Sequence, residues 1–442
     1  MVKDYNGLEM TASEKGAAAF NHVIDGYLRL AHDTGTRLKG LLEIDAEIPM
    51  AQILKGYFFM LMATRSLRKR AIEIVETVNL LPKSANEREK LHFRALCAWT
   101  GGKNSQAIAA WEEILLLYPR DILALRLAHH GYFYNGDSQN LCDVVSRVSH
   151  AWDKGMPNFG YVLGMKAFGL EETYAFDAAI RAGLQAIEIN PIDPWAIHAV
   201  AHVHEMTGEP TEGINWITNN ESGWIGCNNF RHHIYWHRAL MWLEKREYAK
   251  VLNSYDNDIW NPLSEEYLDL CNSASLLMRL ELHDVDVGDR WSTLAEKCKN
   301  RTDEHILTFA DIHFALALLS VKAVEAQDLI ASMKCYAESK GNFDDNALVS
   351  AEIGIPLIEG VRAYRDKKYQ RAIKWFMPIR YHVQRMGGSH AQRDLFAMLL
   401  LDSALKADHI PLAKSLAAER MGRLSKSSWT QKKYIDCPRS PV

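Results

Sequence analysis

REKLHFRALCAWTGGKNSQAIAAWEEILLLYPRD, residues 88–121, is one unit of a repeat. Ala95, Gly102, Ala107, Trp111 and Pro119 stand at positions 8, 15, 20, 24 and 32 of a 34-residue frame. Small residues let two helices approach closely where they cross. A large aromatic fills the groove toward the next unit, and a proline ends the second helix. A fixed period of such residue types marks stacked helical units, each leaning on its neighbours.

The frame recurs along the chain. From Gly160, Ala167, Phe176, Ala179, Ala186 and Pro191 occupy positions 8, 17, 20, 27 and 32, with Phe176 at 17. From Pro194, Ala201, Gly208 and Gly213 occupy 8, 15 and 20, and from His232, Ala239, Tyr248 and Tyr255 occupy 8, 17 and 24. Gly360, Tyr369, Ala372 and Phe376 fit a frame from Ile353, and Ala413 fits a last frame from Asp394. Ala128 and Asn135 are what is left of a degenerate unit over 121–153. The pattern resembles the tetratricopeptide repeat, a pair of antiparallel helices. No alternation of apolar residues suggests a sheet. The expected fold is all-α: a right-handed α-solenoid of roughly eight to ten antiparallel helix pairs in one domain. It runs over 1–424, with its clearest units at 88–121, 160–193, 194–231, 232–260, 353–386 and 394–424. Residues 1–87 and 265–345 look helical, with their phase left open. Residues 425–442 are polar, with Pro438 and Pro441, and read as a tail. The loop NNESGWIGCNNF, 219–230, is long enough to cover a binding face.

The chain has 18 histidines, nine of them between His129 and His237. In a tetratricopeptide pair, the resemblance implies, the inner helix turns positions 2, 5, 9 and 12 to the concave side. That spacing is one stripe of a helix. The stripe holds Trp195, His198, His202 and Glu205 in the frame from Pro194, then His233 and Trp236 in the next. Tyr161, Phe168 and Glu171 belong to the frame from Gly160, and His129 and Tyr132 to the frame from Asp121. The 88–121 unit adds His92 and Trp99.

HAVAHVHE, 198–205, places H-x-x-x-H-x-x-E on one helix face. Imidazoles four residues apart lie ~6 Å from each other and can share a divalent metal. His198 and His202 are therefore metal-ligand candidates, and His233 with His237 repeats the spacing. In acid/base chemistry Glu205 is the base or the group that orients a histidine, and His198, His202 or His233 carries the proton. Trp195, Trp236, His237, His129, Tyr132, Tyr161, Phe168 and Glu171 supply the ligand-binding walls. His204 is out of phase and reads as a helix-pair contact. His22, His32, His283, His305 and His409 are isolated, while His313, two residues after Asp311, could contribute. In GGSHAQRD, 387–394, Ser389 reads as a helix N-cap. His390, Arg393 and Asp394 crowd the first turn behind it, where Arg393 and backbone N–H groups could meet an anion.

Composition narrows the classes. With 48% hydrophobic and 24% charged residues the chain is globular rather than disordered. A net charge of −4 offers no global electrostatic case for nucleic acid or an anionic membrane, so neither partner is expected. The apolar run YFFMLMA, 57–63, is far short of the ~20 residues that span a bilayer. The start carries acids and no apolar core, unlike a secretory signal. Seven scattered cysteines without a C-x-x-C pair fit reduced thiols, and a cytoplasmic location is expected. No phosphate loop, dinucleotide fingerprint, nucleophile elbow or H-E-x-x-H occurs, so no nucleotide cofactor is expected.

Several strings go beyond the generic repeat: DPWAIHAVAHVHEMTGEPTEGINWI (193–217), NNFRHHIYWHRALMWLEKREY (228–248), SASLLMRLELHDVDVGDRW (273–291) and GGSHAQRD. In this order they resemble the tetratricopeptide repeat protein 38 family, over most of 150–425. The resemblance implies an α-solenoid with some degenerate units and no secure reaction. It carries over His198, His202, Glu205, His232, His233, His237 and His390. Two functions are expected to compete. One is a small-molecule site enclosed by the curl, working by acid/base or metal-assisted chemistry. The other is an interaction scaffold that holds a peptide in the concave groove. A homodimer is compatible with either.

Overall fold

The computed structural model describes residues 2–78 and 85–435, and nearly all of that chain is α-helical. Among the described residues the sheet content is one antiparallel pair, Val2–Lys3 with Glu9–Met10. Two residues per strand are too few to show alternation in sequence.

Short turns join consecutive helices into pairs: α1 (Glu14–Leu28) with α2 (Thr34–Ile44), α3 (Pro49–Leu61) with α4 (Arg65–Val78), and α5 (Glu87–Thr100) with α6 (Asn104–Leu117). Then come α7 (Ile122–Asn135) with α8 (Ser138–Val148), α9 (Phe159–Glu172) with α10 (Phe176–Ile189), α11 (Pro194–Met206) with α12 (Pro210–Asn219), and α13 (Phe230–Glu244) with α14 (Tyr248–Ser254). The chain continues through α15 (Tyr267–Leu282), α16 (Arg290–Cys298), α17 (Thr308–Ser320), α18 (Glu325–Lys340) and the short α19 (Asp345–Val349). It ends with α20 (Ile355–Arg365) and α21 (Tyr369–Ile379), α22 (His390–Lys406) and α23 (Ile410–Arg423), and α24 (Ser428–Ile435).

The repeat frame lands on these pairs. Ala95, Ala107, Ala167, Ala179, Ala201, Ala239, Ala372 and Ala413 are all buried, as close crossings require. At Gly360 a Cβ would lie 2.3 Å from the Phe376 ring, so α20 and α21 meet where only glycine fits. Asn86 and Glu89 close a capping box at the start of α5, and α6 ends before Pro119. The degenerate 121–153 unit is a complete pair, α7 and α8, capped by Asp121 and Asp137. The last frame begins earlier than its Asp394 start, since α22 opens at His390.

The chain divides into two compact units. The first comprises Met1–Val200, Asn220–Arg231 and Asn342–Asn346; the second comprises Ala201–Asn219, His232–Gly341 and Ala347–Val442. The boundary passes through α11 and through α13. In the first unit the 219–230 loop is fastened down. Trp224 is buried, Asn228 N–H donates to the Leu30 carbonyl at 2.7 Å, and Cys227 bridges to Ala31.

In the second unit the tail reading is corrected as far as Ile435. α24 buries Trp429, whose indole N–H donates to the Leu282 carbonyl at 2.8 Å. Ser428 and Thr430 bond Glu244 and Arg420 rather than water, which is why composition misled. Cys437, Pro438 and Pro441 lie outside the described residues. The described cysteines are free thiols.

Candidate functional site

In the second unit α11 delivers His202 and Glu205, and α13 delivers His233 and His237. The His202, His233 and His237 side chains offer nitrogens within 4.8 Å of one another, all buried. The His202 and His237 ring centres are 4.3 Å apart. Four-residue spacing aligns His233 under His237, and α15 brings Asn272 against them.

The hydrogen bonds fix the tautomers. Glu205 Oε2 lies 2.7 Å from His237 Nδ1, and a carboxylate only accepts, so Nδ1 carries the proton. Asn272 Oδ1 lies 3.1 Å from His233 Nδ1, which donates in the same way. Burial pushes the His233 imidazole down to about 3, so it is neutral at neutral pH. With Nδ1 as the donor, the neutral His233 ring keeps its lone pair on Nε2. The two Nε2 atoms face each other at 3.2 Å. A contact of this length is made either by a proton on one Nε2 or by a cation that both nitrogens hold. With Zn–N bonds of about 2.0–2.1 Å, a tetrahedron has N···N edges of about 3.3 Å, close to this separation.

The residues of the expected stripe also make other contacts. Trp236 stacks on His233, with ring centres 5.3 Å apart and planes 13° apart. His232 Nδ1 bonds the Asp258 carbonyl at 2.5 Å and anchors the π-helical turn Tyr255–Ile259. In the first unit Trp195 is the hub of an aromatic core. Phe168 lies 4.9 Å from it, His129 6.0 Å, and the Arg126 guanidinium sits 4.2 Å over it. His198, one turn before His202 on α11, stacks on Phe168 and meets Phe230 edge-on. His129 Nδ1 donates to the Leu141 carbonyl, and burial with Arg126 pushes its pKa to about 3. Tyr132 donates to Glu112 at 2.9 Å. Tyr161 and Glu171 are buried.

In GGSHAQRD, Ser389 is the N-cap of α22 as read, in a capping box with Gln392. Arg393, expected to meet an anion, turns back onto the Gly388 carbonyl and His390 Nδ1. Asp394 forms a buried pair with Arg420 at 2.6 Å. Burial alone would raise its pKa, but the Arg420 charge holds it below the ordinary value.

The sequence did not single out Asn272 and Arg279 on α15, which reach the cluster and its neighbourhood. No stripe singled them out, because α15 also carries Asp269, Ser273 and Ser275 and is buried on nearly every side. The sequence also left His305 as isolated. Its Nδ1 meets Asp311 at 3.2 Å and its Nε2 meets Ser332 Oγ at 2.8 Å. Ser332 sits inside α18, where its own turn spends its N–H groups on the helix and offers none to an oxyanion. The line therefore reads as a strap that holds His305, at φ 47°, against α17 and α18.

The class defined by these features is an all-α chain of helix pairs with a buried histidine cluster. No family model matches the chain. Among solved structures, a human IFIT1 dimer with PPP-AAAA aligns over 97% of this chain and 95% of that chain, at 12% identity and TM-score 0.44. A human IFIT1 dimer with m7Gppp-AAAA covers 97% and 96%, at 12% identity and TM-score 0.41. Yeast Tom70 covers 94% and 87%, at 12% identity and TM-score 0.36. The expectation of no nucleic-acid partner rests on net charge alone and gains no support from these findings. No helix among the described residues is long and apolar enough to cross a membrane.

Proposed function

We propose that this chain is a tetratricopeptide-type helical repeat protein whose His202, His233 and His237 bind a divalent transition metal of the zinc class. The metal would be the centre of a small-molecule site. The finer assignment to the tetratricopeptide repeat protein 38 family belongs to this reading and rests on the quoted strings. One observation carries the metal: His233 and His237 turn their Nε2 atoms toward each other at 3.2 Å, with Asn272 and Glu205 engaging the two Nδ1 atoms. Metal-bound histidines usually donate their other N–H to a carboxylate or an amide oxygen. Glu205 and Asn272 fill those two places. A zinc-class ion held there would lower the pKa of a water bound to it toward about 7. Glu205 holds the His237 tautomer through Nδ1, the role of a carboxylate behind a metal-binding histidine. A peptide scaffold needs none of this.

The test is metal analysis of the purified full-length chain, stripped with chelator and reloaded with Zn(II) or Co(II). About one ion per chain is expected, with Co(II) absorption typical of a four-coordinate nitrogen site. The double variant His233→Ala/His237→Ala should lose the ion while its circular dichroism stays helical. Glu205→Gln should weaken binding by about 10–100-fold. No stoichiometric ion in the wild type, or unchanged binding in the double variant, would sink the proposal. In that case the two Nε2 atoms share a proton instead.

A further inference from the structure

The second unit also holds a cavity of about 280 Å³. Met206, Leu240, Met241, Leu243, Met398 and Leu424 make its apolar wall, and Arg279 reaches it from α15. We infer that this cavity binds a medium-chain fatty carboxylate, with the carboxylate seated on Arg279 and the alkyl chain against the methionine wall.

The charge accounting points to an anion. Three carboxylates line the cavity, and each is already engaged. Asp394 pairs with Arg420 at 2.6 and 2.9 Å. Glu244 takes the Ser428 N–H and the Ser427 hydroxyl. Glu205 takes His237. Arg279 is buried, and among the described residues it has no carboxylate within ion-pair distance. It donates Nη1 to Ser275 Oγ and Nη2 to the Ala391 carbonyl at 2.6 Å, and Trp236 backs it at 5.6 Å. Two of its five N–H groups are thus spent on holding it still. The rest belong to a planar fork that matches a carboxylate. A buried cation without a counter-charge is costly, and a bound anion removes that cost.

The local field agrees. Burial takes the Arg279 guanidinium down to about 10, against the pull of Asp394 and Glu205. His283 lines the same cavity and is pushed to about 3 by burial and by Arg246, Arg420, Lys433 and Arg279. Size and wall select the rest of the ligand. The volume falls just under the ~300–1,000 Å³ typical of drug-sized sites, so the occupant is smaller. Three methionines offer an adaptable surface suited to a flexible chain.

The inference stands without the metal, because neither Arg279 nor the apolar wall is a metal ligand. The experiment titrates the chelator-stripped full chain with octanoate, octanol and octylamine by calorimetry. Octanoate should saturate a single site, octanol should bind at least about tenfold more weakly, and octylamine should not bind. Met398→Trp, which fills the cavity, should lower octanoate affinity by about tenfold or more. Arg279→Lys keeps the charge but loses the fork and should weaken octanoate severalfold without affecting octanol. Equal binding of octanoate and octanol would overturn the inference, as would indifference to Met398→Trp. Octanoate binding that appears only after metal is restored would also overturn it, since the carboxylate would then sit on the metal. Octanoate binding in a chain that takes up no metal would support the cavity and count against the metal alone.

Discussion

Asp121 shows how much one side chain can hold in this protein. It is fully buried, caps α7 through the Ala124 N–H at 2.9 Å, and accepts from Arg88 Nε at 2.5 Å and His92 Nε2 at 3.0 Å. Arg88 also meets Asp4 at 3.1 Å, which ties the N-terminal strand pair to the same centre. Burial alone would raise the Asp121 pKa, but the charges of Arg88 and His92 override it and hold the carboxyl far below the usual range. A carboxyl depressed by folding contributes stability that is present above its unfolded pKa, near 3.9. That stability is lost as pH falls toward the folded value. Asp121→Asn should therefore cost about 3–5 kcal/mol at neutral pH, because it leaves Arg88 buried without its closest partner. The gap between wild type and variant in urea melts should narrow as pH is lowered below about 4. A gap that stays constant from neutral pH into that acid range would refute this account of Asp121.

Helix crossings set the requirements at the next scale. Gly360→Ala would normally gain helix propensity, up to about 1 kcal/mol. Here the new Cβ would sit 2.3 Å from the Phe376 ring, so α20 and α21 must separate, at about 1–3 kcal/mol. Gly422, in α23, has nothing within 4 Å of a Cβ, so Gly422→Ala should stabilise by up to about 1 kcal/mol. Opposite signs in denaturant melts are expected, and the same sign for both would break the argument. The same crossings explain what was legible. A close approach demands Ala or Gly at fixed intervals, so Ala95, Ala107, Ala239 and Ala372 betrayed their pairs in sequence. The pairs His198/His202 and His233/His237 were legible because i,i+4 is a local relation. Residues 265–345 hid their phase for two reasons. α15 is buried on nearly every side from Asp269 to Leu280, so it shows no stripe that would have placed Asn272 and Arg279. π-helical turns at Tyr255–Ile259 and Ser350–Gly354 flank the region and shift the register of the repeat.

Each compact unit buries its own polar chemistry: Asp121, Arg88 and His92 in the first, the histidine cluster and the Arg279 cavity in the second. The second unit is completed from the end of the chain. Arg420, buried on α23, grips Asp394 on one side and, on the other, donates to Ser427 at 2.7 Å and to Thr430. Ser428 N–H donates to Glu244 Oε2 at 2.8 Å, and Trp429 seals the end of α15 through the Leu282 carbonyl. Ser427 and Ser428 also line the Arg279 cavity. A chain cut after Leu424 leaves a buried guanidinium with half its partners, at about 1.5–3 kcal/mol for each lost charged hydrogen bond. It also forfeits the burial of Trp429, on the order of 1.5–3 kcal/mol. The truncated protein should therefore melt several degrees below the full chain and bind octanoate more weakly, because a wall of the cavity has gone. Trp429→Ala should show a smaller shift of the same sign. A truncated chain that melts and binds as the full chain does would mean that these eleven described residues, 425–435, only decorate the second unit.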